Sequence, residues 1–394
     1  MLTNSGPGDG PVELEPELRR SVRKLCEAFP DAYWRDLDER RDYPAAFLEA
    51  LGRAGFTAAM IPEAYGGSGL GVTEASIVLE EINRSGGNAA ACHAQMYTMA
   101  TLSRHGTAAQ KERYLPAVAS AALRLQAFAV TEPDAGSDTP SIRTTATRRG
   151  DTYVVRGHKI FTSRALHSDL LLLLVRTTPL EEVAKRGEGL SVLLVDLREA
   201  VGNGLEIEPI QTMVNHHTTQ LFLDGLEVPA ADLIGREGQG FRYVLDSMNA
   251  ERILIAGECI GDGRWFIERA SRYASERVVF GKPIGANQGV QFPIAMAYAR
   301  VRAADLMRFE AASRFDRDRP AGPEANMAKL LAAEASWEAA NAALQTYGGF
   351  GFARDYDIER KFRETRLYQV APISTNLILA YLGHNVLRMP RSYG

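Results

Sequence analysis

The sequence predicts a mainly α-helical protein interrupted by one central all-β stretch, and three observations carry that reading. From about Leu18 to Leu123, apolar residues recur at helical spacing. From about Gln126 to Ile234 the pattern changes to short β-branched or aromatic runs separated by charged or Gly-containing breaks, which suggests a small barrel or sandwich. From Gly240 onward long helical segments return, near 240–275, 287–316, 323–346 and 367–386, and four such segments suggest an antiparallel bundle.

The elements follow in order. Residues 1–16 are rich in Gly and Pro with acidic residues, and read as a disordered lead rather than a signal or transit peptide. The run Pro44 to Leu51 has helical spacing and opens on Pro, a good first-turn residue. IPEAYGGSG, at 61–69, breaks the pattern as a Gly-rich loop, and helices resume at Thr73–Ser85 and Ala89–Arg104. Strands are expected at Tyr153–Val155, Lys159–Phe161, Leu170–Val175, Leu190–Val195 and Gln220–Leu223. The domain limits expected from these shifts are 17–125, 126–235 and 236–394, since 394 residues exceed the size of one ordinary core.

Composition excludes several classes. A net charge of −4, with both signs mixed along the chain, gives no basic face for nucleic acid. No apolar run is long enough for a membrane span. Cys26, Cys92 and Cys259 are far apart and odd in number, so no metal spacing exists and a reducing cytoplasm fits. Adjacent His216 and His217 point to opposite sides of an extended chain, and a loop role is expected for them.

Four places have the residue types that chemistry needs. VTEPDAGSD, at 130–138, follows an apolar run, and such a turn exposes backbone N–H groups and hydroxyls that suit the polar edge of a flat ring. Phe241, Val244, Met248, Glu251 and Ile255 fall at steps of three or four on one helix face that is apolar except for the carboxylate. There Glu251 is either paired with a basic group from another helix or kept near neutrality by desolvation, the second state suiting a proton-abstracting base. Glu258 is a weaker candidate for the same role, and Arg252 points to the side, where it could meet an anion or a neighbouring carboxylate. RVVFGKPIGANQ, at 277–288, joins a fixed charge to a helix start, a sensible diphosphate clamp or simply a solvated loop. QTYGGFGF, at 345–352, has glycines near a helix end that permit close approach or merely stop the helix.

Nine motifs in register make the chain resemble the acyl-CoA dehydrogenase family over nearly its full length. Besides IPEAYGGSG they are GTAAQKERYLP at 106–116, AVTEPDAGSD at 129–138, GHKIFTS at 157–163, GREGQGF at 235–241, ERILIAG at 251–257, RVVFGKPIGANQ at 277–288, QTYGGFGF at 345–352 and RLYQVAPISTN at 366–376. The resemblance implies three parts: an N-terminal helical domain, a middle β-barrel and a C-terminal four-helix bundle. It implies FAD as cofactor, an acyl-CoA substrate, an electron-transferring flavoprotein as acceptor and a homotetramer. By resemblance Phe128, Val130, Thr131 and Ser137 line the flavin. Phe161 stands where the family usually has Trp, and Ser163 at the hydroxyl position beside flavin N5. Arg277 and Gln288, with Gln345, Gly348 and Gly349 of a neighbouring subunit, would hold the diphosphate and adenosine. Ser374 and Asn376 match the last flavin-contacting segment, and the substrate side would take Ser137, Met96, Tyr97, Thr101, Asn249 and Arg252.

The reaction implied is α,β-dehydrogenation, with a carboxylate removing the Cα proton while hydride leaves Cβ for the flavin. Many members carry that carboxylate in a Tyr-Glu-Gly-Thr segment, which here reads Ala371-Pro372-Ile373-Ser374. Members similar to isovaleryl-CoA and long-chain acyl-CoA dehydrogenases place it on a bundle helix, at the position of Glu251. Pro372 also lacks the N–H that would help hold the thioester carbonyl. That departure keeps two alternatives open: an oxidase or monooxygenase on the same scaffold, and a non-catalytic flavin-binding subunit.

Overall fold

The computed structural model describes residues 15–391. Residues 1–14 of the expected lead lie outside the described residues, and at Pro16 a helix has already begun. Six helices come first: α1 (Pro16–Cys26), α2 (Asp31–Arg40), α3 (Ala45–Arg53), α4 (Val72–Arg84), α5 (Ala90–His105) and α6 (Ala108–Ala119). Thr107 caps α6 by accepting from the Gln110 N–H, and the Gln110 side chain returns the bond to Thr107 N–H.

Eight strands follow: β1 (Leu125–Ala129), β2 (Thr145–Arg149), β3 (Thr152–Ser163), β4 (Leu170–Arg176), β5 (Leu190–Asp196), β6 (Leu205–Pro209), β7 (Thr218–Pro229) and β8 (Leu233–Ile234), with a one-turn helix α7 (Leu197–Ala200) between β5 and β6. They form one sheet in the order β6-β7-β3-β2-β4-β5-β8, with β1 parallel to β4. This corrects the expected β-barrel: the sheet is open, because its end strands β6 and β8 do not pair with each other. The reason is visible at both ends. β8 is two residues long, and β6 stops at Pro209, which has no N–H to continue a ladder. Midway along the order, β2 meets β4 through a single pair, Thr145 with Arg176. Leu171, Leu173 and Val175 of β4 face a core shared with Tyr153, Leu221 and Leu226. Leu170, Leu172 and Leu174 face the helices. Burial on both faces explains why β4 is an unbroken apolar run.

The last part holds α8 (Gly240–Glu276), a short hairpin of β9 (Val278–Val279) and β10 (Lys282–Pro283), α9 (Gln288–Asp316), α10 (Gly322–Tyr347), α11 (Ile358–Arg366) and α12 (Thr375–Tyr381). The long helix expected over 367–386 is not formed. A 3-10 turn at Leu367–Gln369 gives way to an irregular stretch, because Pro372 cannot continue a helix, and Ser374 starts α12 afresh by accepting from Leu377 N–H at 3.4 Å.

α8 crosses α4 at a closeness only glycine permits. A Cβ at Gly257 would stand 2.4 Å from the Ser76 carbonyl oxygen, and one at Gly261 2.3 Å from that of Glu80. Gly257→Ala must push the two helices apart. It is expected to lower stability by about 1–3 kcal/mol and to slow turnover, since Glu251 sits on the same helix; thermal unfolding and FAD-reconstituted activity measure both.

Candidate active site

The site is built where β1, the end of β3, α5 and the first third of α8 converge. Beyond β1 the chain makes the Val130–Asp138 turn, and two buried residues fix it. Lys159 Nζ donates to Val130 O at 2.9 Å and to Glu132 Oε1 at 2.9 Å, while Ile160 N–H donates to Thr131 O at 2.9 Å. Glu132 in turn accepts from the N–H groups of Arg143 (2.6 Å) and Thr144 (2.9 Å). Burial lowers the Lys159 ammonium to about 8 against the pull of Glu132. Phe128, Val130 and Thr131 are half-buried at this edge, and Ser137 is exposed.

β3 then presents an aromatic ring outward. Its register against β7 shifts between Lys159 and Thr162, and within that bulge Phe161 takes φ 57°. A left-handed backbone is costly for a side chain of this size, yet Phe161 remains 60% exposed. Next to it the Thr162 hydroxyl is buried with no partner among the described residues, and Ser163 is half-buried. An exposed aromatic face, a hydroxyl with no partner among the described residues and a turn fixed by Lys159 and Glu132 fit the flat, polar-edged ring of a flavin.

From the helical side come Met96, fully buried, and Tyr97, whose ring lies 6.4 Å from Phe128 at 24°. Thr101 Oγ1 hydrogen-bonds Ser247 Oγ at 2.8 Å, tying α5 to α8. Glu251 is 8% exposed on α8, and among the described residues no cation lies within ion-pair distance of it. Burial raises its carboxyl above the ordinary value of 4.5, while the more distant charges of His93, Arg252 and Lys329 pull it down less strongly. Asn249 accepts from Arg252 Nη1 at 2.9 Å, leaving Arg252 Nε without a partner among the described residues.

Four residues that the sequence reading did not single out belong to this region. Lys329, fully buried on α10, donates to Ile373 O at 2.7 Å and to Tyr368 O, and so anchors the irregular 368–373 segment. His93 places Nδ1 3.4 Å from Glu258 Oε1, which puts Glu258 behind His93 rather than beside Glu251. Tyr368 accepts from Asn83 Nδ2 at 3.2 Å. Arg164, directly after Ser163, turns inward. Ser374 caps α12, and Asn376 is exposed on its first turn.

A second group is brought together elsewhere. Arg277, Gln288, Gln345, Gly348 and Gly349 are all exposed, and the Arg277 guanidinium lies 5.7 Å from the Phe350 ring. They sit at the far end of α8. The stretch of helix from Glu251 to its C-terminus spans about 38 Å at 1.5 Å per residue. The two groups of one chain are therefore not brought together. His216 and His217 lie in neither group: His216 packs on Arg164, and His217 Nδ1 lies 3.2 Å from His167 Nε2.

Comparison with known proteins identifies the family. Models of the acyl-CoA dehydrogenase N-terminal, middle and C-terminal domains match residues 13–122, 127–226 and 238–372. The chain is similar to an acyl-CoA dehydrogenase of Mycobacterium bovis, 34% identical over 96% of this chain and 98% of that protein. It is also similar to the cyclohex-1-ene-1-carbonyl-CoA dehydrogenase of Syntrophus aciditrophicus, at 32% over 95% of this chain and 90% of that one. Among solved structures, glutaryl-coenzyme A dehydrogenase in complex with glutaryl-CoA superposes with a TM-score of 0.89 at 30% identity, covering 98% of each chain. The chain belongs to the acyl-CoA dehydrogenase family and is an FAD-dependent oxidoreductase of acyl-CoA thioesters.

Proposed function

We propose that Glu251 is the base that removes the Cα proton, and the observation that carries this is a buried carboxylate on α8 with no ion pair among the described residues and a raised proton affinity. FAD, when bound against Phe128, Val130, Thr131, Phe161 and Ser163, supplies the hydride acceptor. The chain does the rest. Burial gives Glu251 a proton affinity closer to that of the carbon acid it must deprotonate. Met96, Tyr97 and Thr101 wall the acyl group, and Asn249 and Arg252 stand on the substrate side of α8. Pro372 has no N–H, so support for the thioester carbonyl falls to the N–H of Ile373, which has no acceptor among the described residues. Lys329 holds that segment in place through the Ile373 carbonyl.

The separation along α8 supports assembly from several copies. Arg277, Gln288, Gln345, Gly348 and Gly349 would meet the diphosphate and adenosine of FAD held in part by a neighbouring subunit, in a homotetramer. An electron-transferring flavoprotein is the proposed acceptor, and a reducing cytoplasm suits three free cysteines. The segments 17–125, 126–235 and 236–394 are proposed as the three domains.

Anaerobic mixing of the FAD-loaded protein with a panel of acyl-CoA thioesters over a pH series tests the reading. Flavin bleaching is expected, with an acid limb that rises about tenfold per pH unit and has its midpoint above 4.5, because a raised pKa keeps Glu251 protonated, and therefore inactive, to a higher pH. Absence of bleaching with every thioester, or a limb at or below the ordinary carboxylate range, counts against it.

A further inference from the structure

We propose that the cavity between the N-terminus of α5 and the residue that follows β3 is a halide site, chloride in the working protein, with Arg164 and the first turn of α5 as its donors. Such a site stands whether or not Glu251 is the base.

Two separate elements leave donors unmet at this one cavity. The first donor is Arg164, directly after β3. It is 6% exposed and held at φ 61°, with its N–H donating to His217 O at 2.7 Å. Its guanidinium meets only the ring of His216, with Nη2 3.2–3.3 Å from the two ring nitrogens. Among the described residues Nε and Nη1 have no acceptor, and no carboxylate lies within 4.0 Å. His216 brings no negative charge and is neutral, since burial and the adjacent guanidinium hold its imidazole well below the usual histidine range. The other arginines buried to this degree are provided for. Arg19, Arg308 and Arg360 pair with carboxylates, and Arg176 donates to four backbone carbonyls. A buried guanidinium with one neutral partner leaves most of its donor capacity for something else.

The start of α5 supplies the second set. Its N-cap residue is Ala89, whose side chain can cap nothing. Ala90 N–H donates to Asn88 Oδ1 at 3.0 Å and His93 N–H to Ala89 O at 2.9 Å. Between them the N–H groups of Ala91 and Cys92 have no acceptor among the described residues. A helix of 16 residues also gathers partial positive charge at that end. Arg164, Asn88, Ala90, Ala91 and His216 line one cavity of about 30 Å³. A single water needs about 10–15 Å³, so the space takes a halide and is too small for a nucleotide. The carboxylates on the same cavity are already matched: Asp38 by Arg363, Asp42 by Arg40, and Glu364 by Arg360 and Lys361. What remains unmet is donor capacity from a guanidinium and from a helix start, and one small anion satisfies both through charge-assisted hydrogen bonds. A spherical ion suits donors that arrive from different directions.

The test uses the FAD-loaded protein with bromide as the probe and gluconate, too large to enter, as the control anion. Crystals soaked in sodium bromide should show an anomalous peak in the cavity, beside Arg164 and the first turn of α5. In solution, bromide at ten- to hundredfold its Kd should raise the melting temperature by about 2–3 °C over gluconate at the same ionic strength. Arg164→Met should remove that bromide-specific rise. Asn88→Asp should remove it as well, because its carboxylate still accepts from Ala90 N–H and itself brings the negative charge. This second variant decides the matter if Arg164→Met does not fold. An empty cavity in bromide-soaked crystals overturns the proposal. So does a peak without a bromide-specific rise in melting temperature, which marks an adventitious ion only, and so does a rise that survives in Arg164→Met or in Asn88→Asp.

Discussion

Replacing Glu251 by Gln is expected to slow flavin bleaching by acyl-CoA about 10²–10⁴-fold, the usual contribution of a positioned general base, while FAD content and absorbance stay those of the wild type. Gln has the shape of Glu and cannot accept the Cα proton. The substitution breaks no close contact of the charge: among the described residues Glu251 has no ion pair, and His93, Arg252 and Lys329 act on it only from a distance. Burial already disfavours its ionised form, so a neutral amide should leave the melting temperature unchanged or raise it. A catalytic loss without a stability loss is the signature sought. Glu258→Gln should behave differently, since that carboxylate faces His93, and is expected to change stability more than the rate of flavin reduction. Anaerobic stopped-flow measurements with both variants separate the cases. Near-normal bleaching by Glu251→Gln would remove this residue from the role and return the search to the rest of the cavity.

How much of this was legible depends on whether a feature is local. The face of α8 could be read from spacing: Val244 and Ile255 are buried, and Phe241 and Met248 half-buried, around Glu251. β4 and β5 were visible as apolar runs because both of their faces are covered. Closure of the sheet was not legible, since it depends on whether β6 and β8 meet, and neither strand shows its neighbours in its own sequence. α11 was hidden for a different reason. Its buried side carries Arg360, Lys361 and Glu364, so it reads as a solvated charged segment, although these residues satisfy one another and Asp262 inside the protein. Lys329 did leave a signal. It falls four residues after Ala325 and three before Ala332, on the buried face of an Ala-rich helix, where a lysine must find acceptors. Arg164 left none, because a strand end has no period against which an inward turn can be recognised.

Glu80→Gln is expected to have the largest effect on stability among single changes outside the active site. Glu80 is fully buried on α4 at the meeting point of four helices. Arg19 of α1 donates to it at 2.9 and 3.0 Å, Arg308 of α9 stands 2.9 Å away, and Arg264 of α8 completes the set. Glu81 and Asp305 balance the same arginines, at 2.5 Å from Arg19 and 2.5–2.6 Å from Arg308 and Arg264. Burial alone would raise the Glu80 carboxyl, but the three guanidiniums outweigh it and hold it well below the ordinary carboxylate range. Removing one charge from such a set leaves buried cations in excess and typically costs about 3–5 kcal/mol. An amide NH₂ would also point a donor at donors. The expected result at pH 7 is a melting temperature lower by about 4–6 °C, with α4 loosened against α8. The pH dependence fixes the cause. A depressed folded-state pKa contributes stability that is present above the unfolded value of 4.5 and is lost as pH falls toward the folded one, because only the unfolded chain takes up the proton in that window. The gap between wild type and Glu80→Gln should therefore narrow as the pH drops below 4.5. A gap that is negligible at pH 7, or one that widens on acidification, would show that the cluster does not hold the N-terminal helices to the bundle electrostatically.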